Sequence, residues 1–273
     1  MNYIFKPTTT SDESLKNIVD LLVKVFPKTD KFTYDFIKWQ YKENPNGEVV
    51  GYDAYAEEVL AAHYATIPIV MNLFGQERKG LLSINTATHP DHRGKRLFSV
   101  LAEKTIELAK QRGYEFVIGA ANANSTHGFL KNLGFYLISP LDVKVGVGNY
   151  KIKPEMKCKA SWSTEAYKWR SNNPSCPYYT NGNLLFANKA TGVKAAIKSL
   201  SETEVANTAE KSLGMLHPVN LYVGLGRVGG LYVNVPKFIE RSPFNLIFRD
   251  LTGEIPTIKR EDIAFELFDY DVI

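Results

Sequence analysis

The sequence predicts a mixed α/β protein of the α+β kind, with a first half spanning 1–147 and a second half, 148–273, packed against it. Three observations lead there. Apolar residues at helical spacing alternate with stretches rich in Val, Ile, Tyr and Thr, in the order strand, two helices, three strands, helix, strand, helix, strand. No low-complexity or linker segment divides the 273 residues, so tethered modules are not expected. Lys38-Trp39 followed by Asn44-Pro45 is echoed by Lys168-Trp169 followed by Asn173-Pro174, each leading into a Tyr-rich extended stretch. A diverged duplication leaves such an echo, with coincidence over few positions as the competing account.

The first helix is expected to open on a capping box at Thr10 and Glu13. It then buries Leu15, Ile18, Val19, Leu22, Val25 and Phe26 until Pro27 stops it. A shorter helix runs from Tyr34 to Lys42 and ends at the turn formers Asn44-Pro45-Asn46-Gly47. Extended stretches near 48–57, 59–72 and 80–88, with a turn at Phe74-Gly75-Gln76, predict an antiparallel meander. Between Lys95 and Arg112, Phe98, Leu101, Ala102, Ile106 and Ala109 share one face of a long amphipathic helix that Gly113 ends. Phe116–Ala120 is a short apolar strand, Ser125–Leu133 a short helix, and 135–147 mostly extended.

A net charge of +4, from 33 Lys+Arg against 29 Asp+Glu, is too small and too evenly spread for a nucleic-acid surface. No run approaches the roughly 18 apolar residues of a membrane span, and the opening residues lack a signal-peptide core. A cytoplasmic location is therefore expected. Cys158 and Cys176 form no CxxC pair. His89 and His92 stand three apart, but Pro90 forbids a smooth turn between them, so no metal is expected.

The stretch most informative about chemistry runs from Leu81 through His89-Pro90-Asp91-His92-Arg93-Gly94-Lys95-Arg96 into the long helix. A helix start presents backbone N–H groups without intrahelical partners, and Gly94 lets an anion approach closely. Arg93, Lys95 and Arg96 work against the helix dipole unless an anion such as a pyrophosphate neutralises them. A solvated basic turn is the bland alternative.

Here the sequence resembles the GNAT superfamily of acyl-CoA N-acyltransferases. Pro90-Asp91-His92-Arg93-Gly94-Lys95 matches its acyl-CoA signature, and Asn122/Asn124 followed by Leu130-Lys131-Asn132-Leu133-Gly134-Phe135 matches its second block. The resemblance covers about 1–147 and implies a GNAT fold with a splayed mixed sheet there, against a diverged GNAT-like second half. Acyl-CoA is the implied co-substrate. Its implied contacts are Thr86, Ala87 and Thr88 on the splayed strand, Arg93, Gly94, Lys95, Arg96, Leu97 and Phe98 at the helix start, and Asn124 and Lys131 beyond. Arg96 and Phe98 stand where the pattern usually has small residues, and Leu130 where many members place a Tyr that protonates the leaving thiolate.

The resemblance further implies that a backbone donor near Asn85 faces the thioester oxygen. Preorganised donors of this kind stabilise an oxyanion by roughly 3–4 kcal/mol each. A thiol of pKa about 8.5 leaves reasonably well unaided, and an α-amino-like amine at about 7.7–8.0 is partly neutral near pH 7, so the missing Tyr is survivable. His127, on the face of Leu130, is one candidate for proton transfer. His63, expected opposite Thr88 or His89, is the other. A surface or core histidine is the competing reading for each.

For the acceptor, Arg241–Leu251, the ending Phe265–Ile273 and the Trp…Asn-Pro echo resemble a two-domain subgroup of GNAT proteins from bacterial polysaccharide loci. That subgroup implies N-acylation of a dTDP-linked 3-amino-3,6-dideoxyhexose, with acetyl- or 3-hydroxybutyryl-CoA as donor. Trp39, Tyr64, Arg241, Asn245 and Arg249 are the candidate contacts to such a nucleotide-linked amino sugar. Two rival expectations remain: a protein or antibiotic amine as acceptor, and a non-catalytic acyl-CoA sensor.

Overall fold

A computed structural model describes residues 2–27, 30–152, 155–181, 183–190, 193–200, 219–226, 228–236 and 244–270. The first half contains β1 (Ile4–Pro7), α1 (Asp12–Val25), α2 (Tyr34–Lys42), β2 (Val50–Ala56), β3 (Val59–Leu73) and β4 (Gln76–Thr88). It continues with α3 (Leu97–Gln111), β5 (Phe116–Ala121), α4 (Ala123–Asn132), β6 (Tyr136–Pro140) and β7 (Asp142–Ile152), the last running through the expected junction at 147. Beyond lie β8 (Cys158–Ala160), α5 (Thr164–Ser171), β9 (Tyr178–Asn181), β10 (Leu184–Ala190) and β11 (Val193–Ser199). β12 (Val219–Gly224), β13 (Val228–Asn234) and β14 (Asn245–Asp250) complete the strands.

The N-cap of α1 is Ser11, one residue later than the capping box predicts; its hydroxyl accepts from Ser14 N, while Thr10 donates to Glu48. Ser11 also places two acidic residues, Asp12 and Glu13, in the first turn, where the helix dipole favours them. α2 has the predicted bounds, capped by Thr33. The hairpin between β3 and β4 turns at Phe74 (φ 53°) and Gly75 (φ 87°), the positive values that a two-residue turn matching strand twist requires.

Two sheets result. The first has the order β1-β2-β3-β4-β5-β14-β6, with β8 on the far end of β3; the second runs β13-β7-β12-β11-β10-β9. Each contains one parallel pair, β4 with β5 and β11 with β12, among antiparallel neighbours. Each also borrows a strand. β14, late in the chain, fills the place between β5 and β6, while β7, from the end of the first half, lies between β12 and β13.

Alternation along β4 sends Leu81 toward α3 and Leu82 toward α1. Leu101, Ala102 and Ile106 of α3 pack with Val50, Ala54, Leu81 and Val117 on one face. On the other, a single apolar cluster runs from Leu15 and Ile18 through Phe116 and Phe248 to Ile197, Phe265 and Phe268, so the two sheets share a core. The echo in sequence has a structural counterpart at this junction. Trp39 of α2 and Trp169 of α5 stack at 4.8 Å, and each indole N–H donates to the other's carbonyl at 3.0 Å. After each helix an asparagine turn repeats: Asn46 N donates to Asn44 Oδ1, and Ser175 N to Asn173 Oδ1.

Candidate active site

β4 and β5 pair only from Gly80 opposite Phe116 to Ser83 opposite Gly119, and beyond that they part. The gap is a cleft of about 570 Å³. Its β4 wall is Ser83–Thr86 and Thr88, its β5 wall Gly119–Ala121; α4 contributes Asn124, Ser125, Gly128 and Phe129, and α3 Phe98. Val25, Phe26 and Phe32 close the end beside α1, and Arg93 stands at the other.

The parting begins at a bulge. Ala65 faces Ile84 and His63 faces Ala87, so β4 carries one extra residue, and Asn85 there adopts φ 44°. Counted from the two-residue turn at Phe74-Gly75, His63 would face Thr86, and the extra residue moves it to Ala87; the expected Thr88 or His89 follows only from a wider turn. The Asn85 side-chain amide points inward, donating to Gln40 Oε1 at 2.6 Å and to the Tyr41 hydroxyl at 3.1 Å. Tyr41 OH lies 2.8 Å from His63 Nε2, and His63 Nδ1 lies 2.6 Å from Asp53 Oδ1. With its oxygen accepting from Asn85, the Tyr41 proton is directed to Nε2, which leaves the His63 proton on Nδ1 facing the carboxylate. Burial pushes the Tyr41 phenol far up, opposed by its hydrogen bond from Asn85. The chain from Asp53 to Tyr41 is fully enclosed, and it reaches the cleft through Asn85 alone.

Past β4, a 3-10 turn at Pro90–His92 leads to Gly94 (φ 76°), where a Cβ would meet nothing within 4 Å. Arg93, Lys95 and Arg96 are exposed and form no ion pair with the described residues. Arg96 N-caps α3 at φ 59°, ψ 17°, the left-handed conformation that favours glycine. That accounts for the small residue the GNAT pattern usually has there; keeping Arg costs about 1 kcal/mol of backbone strain. The first-turn N–H groups of Leu97, Phe98 and Ser99 have no intrahelical acceptor. Leu97 is buried, and Phe98 packs edge-on against Phe129 at 5.0 Å and against Tyr64 at 6.0 Å. Gly128 accommodates the bulky ring: a Cβ there would come within 2.8 Å of it. The donor set thus fits a coenzyme A diphosphate: free N–H groups, an open glycine corner and three unneutralised cations.

Other predicted residues lie away from the cleft or at its rim. Ala87 is buried; His127 and Lys131 are exposed on α4 and do not line the cleft. Trp39 is engaged with Trp169. Tyr64 is enclosed behind Ser83, which donates to it at 3.0 Å; burial pushes its phenol up to about 12. Asn245 donates to Thr126 Oγ1 at 3.0 Å, and Arg249 donates to the Leu133 carbonyl at the end of α4. Burial lowers the Arg249 guanidinium, with Tyr64 opposing. Arg241 lies outside the described residues. Sequence reasoning missed Gln40, Tyr41 and Asp53, whose polar types on otherwise apolar-patterned elements were the available signal. His89 and His92 bond elsewhere, to Asp91 N and to the Tyr3 hydroxyl. Among the described residues no group of three or more His, Cys, Asp or Glu could hold a metal, and no helix is long and apolar enough to cross a membrane.

Residues 6–138 match the family model for the acetyltransferase (GNAT) domain. This stretch is a GNAT acetyltransferase domain. It brings acyl transfer from acyl-CoA to an amine as its reaction class. The whole chain is similar in fold to longer solved proteins. One is a conserved Enterococcus faecalis protein described as a probable N-acyltransferase, at TM-score 0.63 and 12% identity over 92% of this chain and 73% of that one. A GCN5-related N-acetyltransferase from Anabaena variabilis gives 0.60 and 12%, covering 92% and 74%. Eis1 from Mycobacterium abscessus gives 0.58 and 9%, covering 93% and 74%. No curated protein matches the chain in sequence. The match ends within β6, short of every strand of the second sheet.

Proposed function

We propose that the chain N-acylates a nucleotide-linked amino sugar, using acyl-CoA as donor and direct attack of the amine on the thioester. The observation that carries the acyl-transfer part is the parting of β4 from β5 beyond Ser83 and Gly119, in a cleft whose lining includes Arg93, the residue before Gly94. Arg93, Lys95 and the N-terminus of α3 hold the diphosphate, and the bulged strand around Asn85 and Thr86 offers backbone groups to the pantetheine arm and the thioester oxygen. The nitrogen–carbon bond forms as the carbon–sulfur bond breaks; the nitrogen gives its proton to solvent, and the thiolate takes one. His63 is enclosed and touches no part of the cleft, so the amine must arrive already neutral. Neither cysteine is placed for a covalent step: both are buried, and burial pushes the Cys158 thiol up to about 11.

The sugar acceptor rests on the resemblance of Arg241–Leu251 and the chain's last residues to the polysaccharide-locus subgroup. The apolar wall of Val25, Phe26 and Phe32 opposite the diphosphate corner is compatible with a sugar face. Thermal-shift and thiol-release assays with acetyl-, butyryl- and 3-hydroxybutyryl-CoA test it, each with a dTDP-linked amino sugar, a lysine peptide or an aminoglycoside. Release of CoA thiol only with the sugar is expected. Release with the peptide or aminoglycoside replaces the acceptor, and saturable donor binding without release from any amine leaves an acyl-CoA sensor.

A further inference from the structure

The second sheet repeats the device that opens the first. β11 and β12 pair in parallel from Val193 opposite Val219 to Ala196 opposite Tyr222, the same four-pair length as β4 with β5, and then part. The outer ladder of β11 is also irregular just past that point: Phe186 faces Ala196 and Leu185 faces Lys198, so Ile197 is an extra residue, as one is in β4.

This second gap holds peptide. Phe265 exchanges backbone hydrogen bonds with Leu225, the residue after β12, at 2.8 and 2.9 Å. On the β11 side, Ser199 N donates to Glu266 Oε1 at 2.9 Å, and the same oxygen accepts from Tyr150 OH at 2.7 Å. A short 3-10 turn at Leu267–Asp269 follows, closed by Glu266 N donating to Asp269 Oδ2, and Phe265 and Phe268 are fully buried. Thus a carboxylate oxygen takes the N–H of the strand just past its bulge, where the first cleft leaves the strand open. Charge in the sequence agrees: the stretch after β11 carries Glu202, Glu204 and Glu210 against Lys211, whereas Arg93, Lys95 and Arg96 follow β4.

We infer that residues 265–270 are the resident ligand of a second donor-type slot. The chain carries two slots of one build, its own C-terminal segment fills one, and acyl-CoA enters only the other. The inference rests on reading the first cleft as the donor site. Calorimetric titration of the full chain with coenzyme A and with acetyl-CoA gives one equivalent per chain, and none for the Arg93→Glu/Lys95→Glu variant. Two equivalents, or one surviving in the double variant, would overturn the inference. No binding to the unaltered chain sinks the donor reading of the first cleft instead, and hydrogen exchange then decides the second slot by itself. The amides of Ser199, Leu225 and Phe265 exchange slowly in the free chain, and saturating coenzyme A leaves them unchanged. Fast exchange there in the free chain, or a change on adding coenzyme A, removes the segment from the slot.

Discussion

Beyond Ser83 the first sheet opens onto a cleft flanked by exposed cations, whereas beyond Ala196 the second closes on Phe265 and Glu266. Both gaps arise from one parallel pair beside a bulge, so topology alone does not decide whether such a gap stays open. What differs is the chemistry at the edges: free helix-start N–H groups and Arg93, Lys95 and Arg96 at one, a buried carboxylate at the other. A fold plan shared by two regions of one chain therefore supports two outcomes, and the side chains decide between them.

The contrast breaks most severely if the cationic corner is reversed. Arg93→Glu with Lys95→Glu should weaken acyl-CoA binding on the order of 1000-fold, from two charge-assisted contacts of about 2 kcal/mol each, read by calorimetry. At the closed gap, burial pushes the Glu266 carboxyl up to about 7, with Lys198 and the hydrogen bonds from Tyr150 and Ser199 opposing and Asp269 adding to the rise. The folded chain then holds this proton more tightly than the unfolded chain. Its contribution is full below the ordinary glutamate value and is lost as pH rises through about 7. Urea unfolding between pH 5 and pH 8 should show that loss, about 3 kcal/mol, and Glu266→Gln should flatten it.

Filling the open gap sharpens the comparison from the other side. Gly119, at the apex, leaves no room to spare: a Cβ there would come within 3.1 Å of the Ser83 Cβ. Gly119→Ala adds one methyl at that contact and should cost about 2 kcal/mol, seen as a raised acyl-CoA Kd with an unchanged circular dichroism spectrum. The smallest effect tests whether the two halves are equivalent where they meet. Trp39→Phe and Trp169→Phe each remove one indole-to-carbonyl hydrogen bond and should each lower stability by about 1 kcal/mol, to the same extent within error. Unequal losses would make the pairing lopsided.

Local patterns carried much of this. The stripe in α1, the bounds of α2, the meander of β2 to β4 and the glycine corner before α3 depend on neighbours in sequence, and their positions follow from spacing and turn chemistry. Ser11 displaced Thr10 as a cap because either hydroxyl suits the role and only backbone geometry selects one. The position of His63 depended on the turn length: the two-residue turn at Phe74-Gly75 is tighter than expected, and the unseen bulge in β4 recovers only one residue of the difference. Asn245 and Arg249 are candidate ligand contacts through the resemblance of Arg241–Leu251 to the polysaccharide-locus subgroup; in the fold their side chains brace α4 at Thr126 and Leu133. Trp39 and Trp169 showed the echo but not its meaning, which lies in a contact across 130 residues. The partnership of β14 with β5 was least legible, because nothing near Leu246 marks Ala120 as its neighbour.

That borrowed strand bears on how the protein is made. On a ribosome, β5 and β6 emerge long before β14, and the slot between them stays empty until residue 250 has cleared the exit tunnel. Unpaired N–H and C=O groups beside the nascent cleft are thereby exposed to any passing strand. Completion of the first sheet is timed by residues 245–250, so a premature stop after residue 240 would yield a molecule with the β4 and β5 walls of the cleft present and the sheet that orients them unfinished.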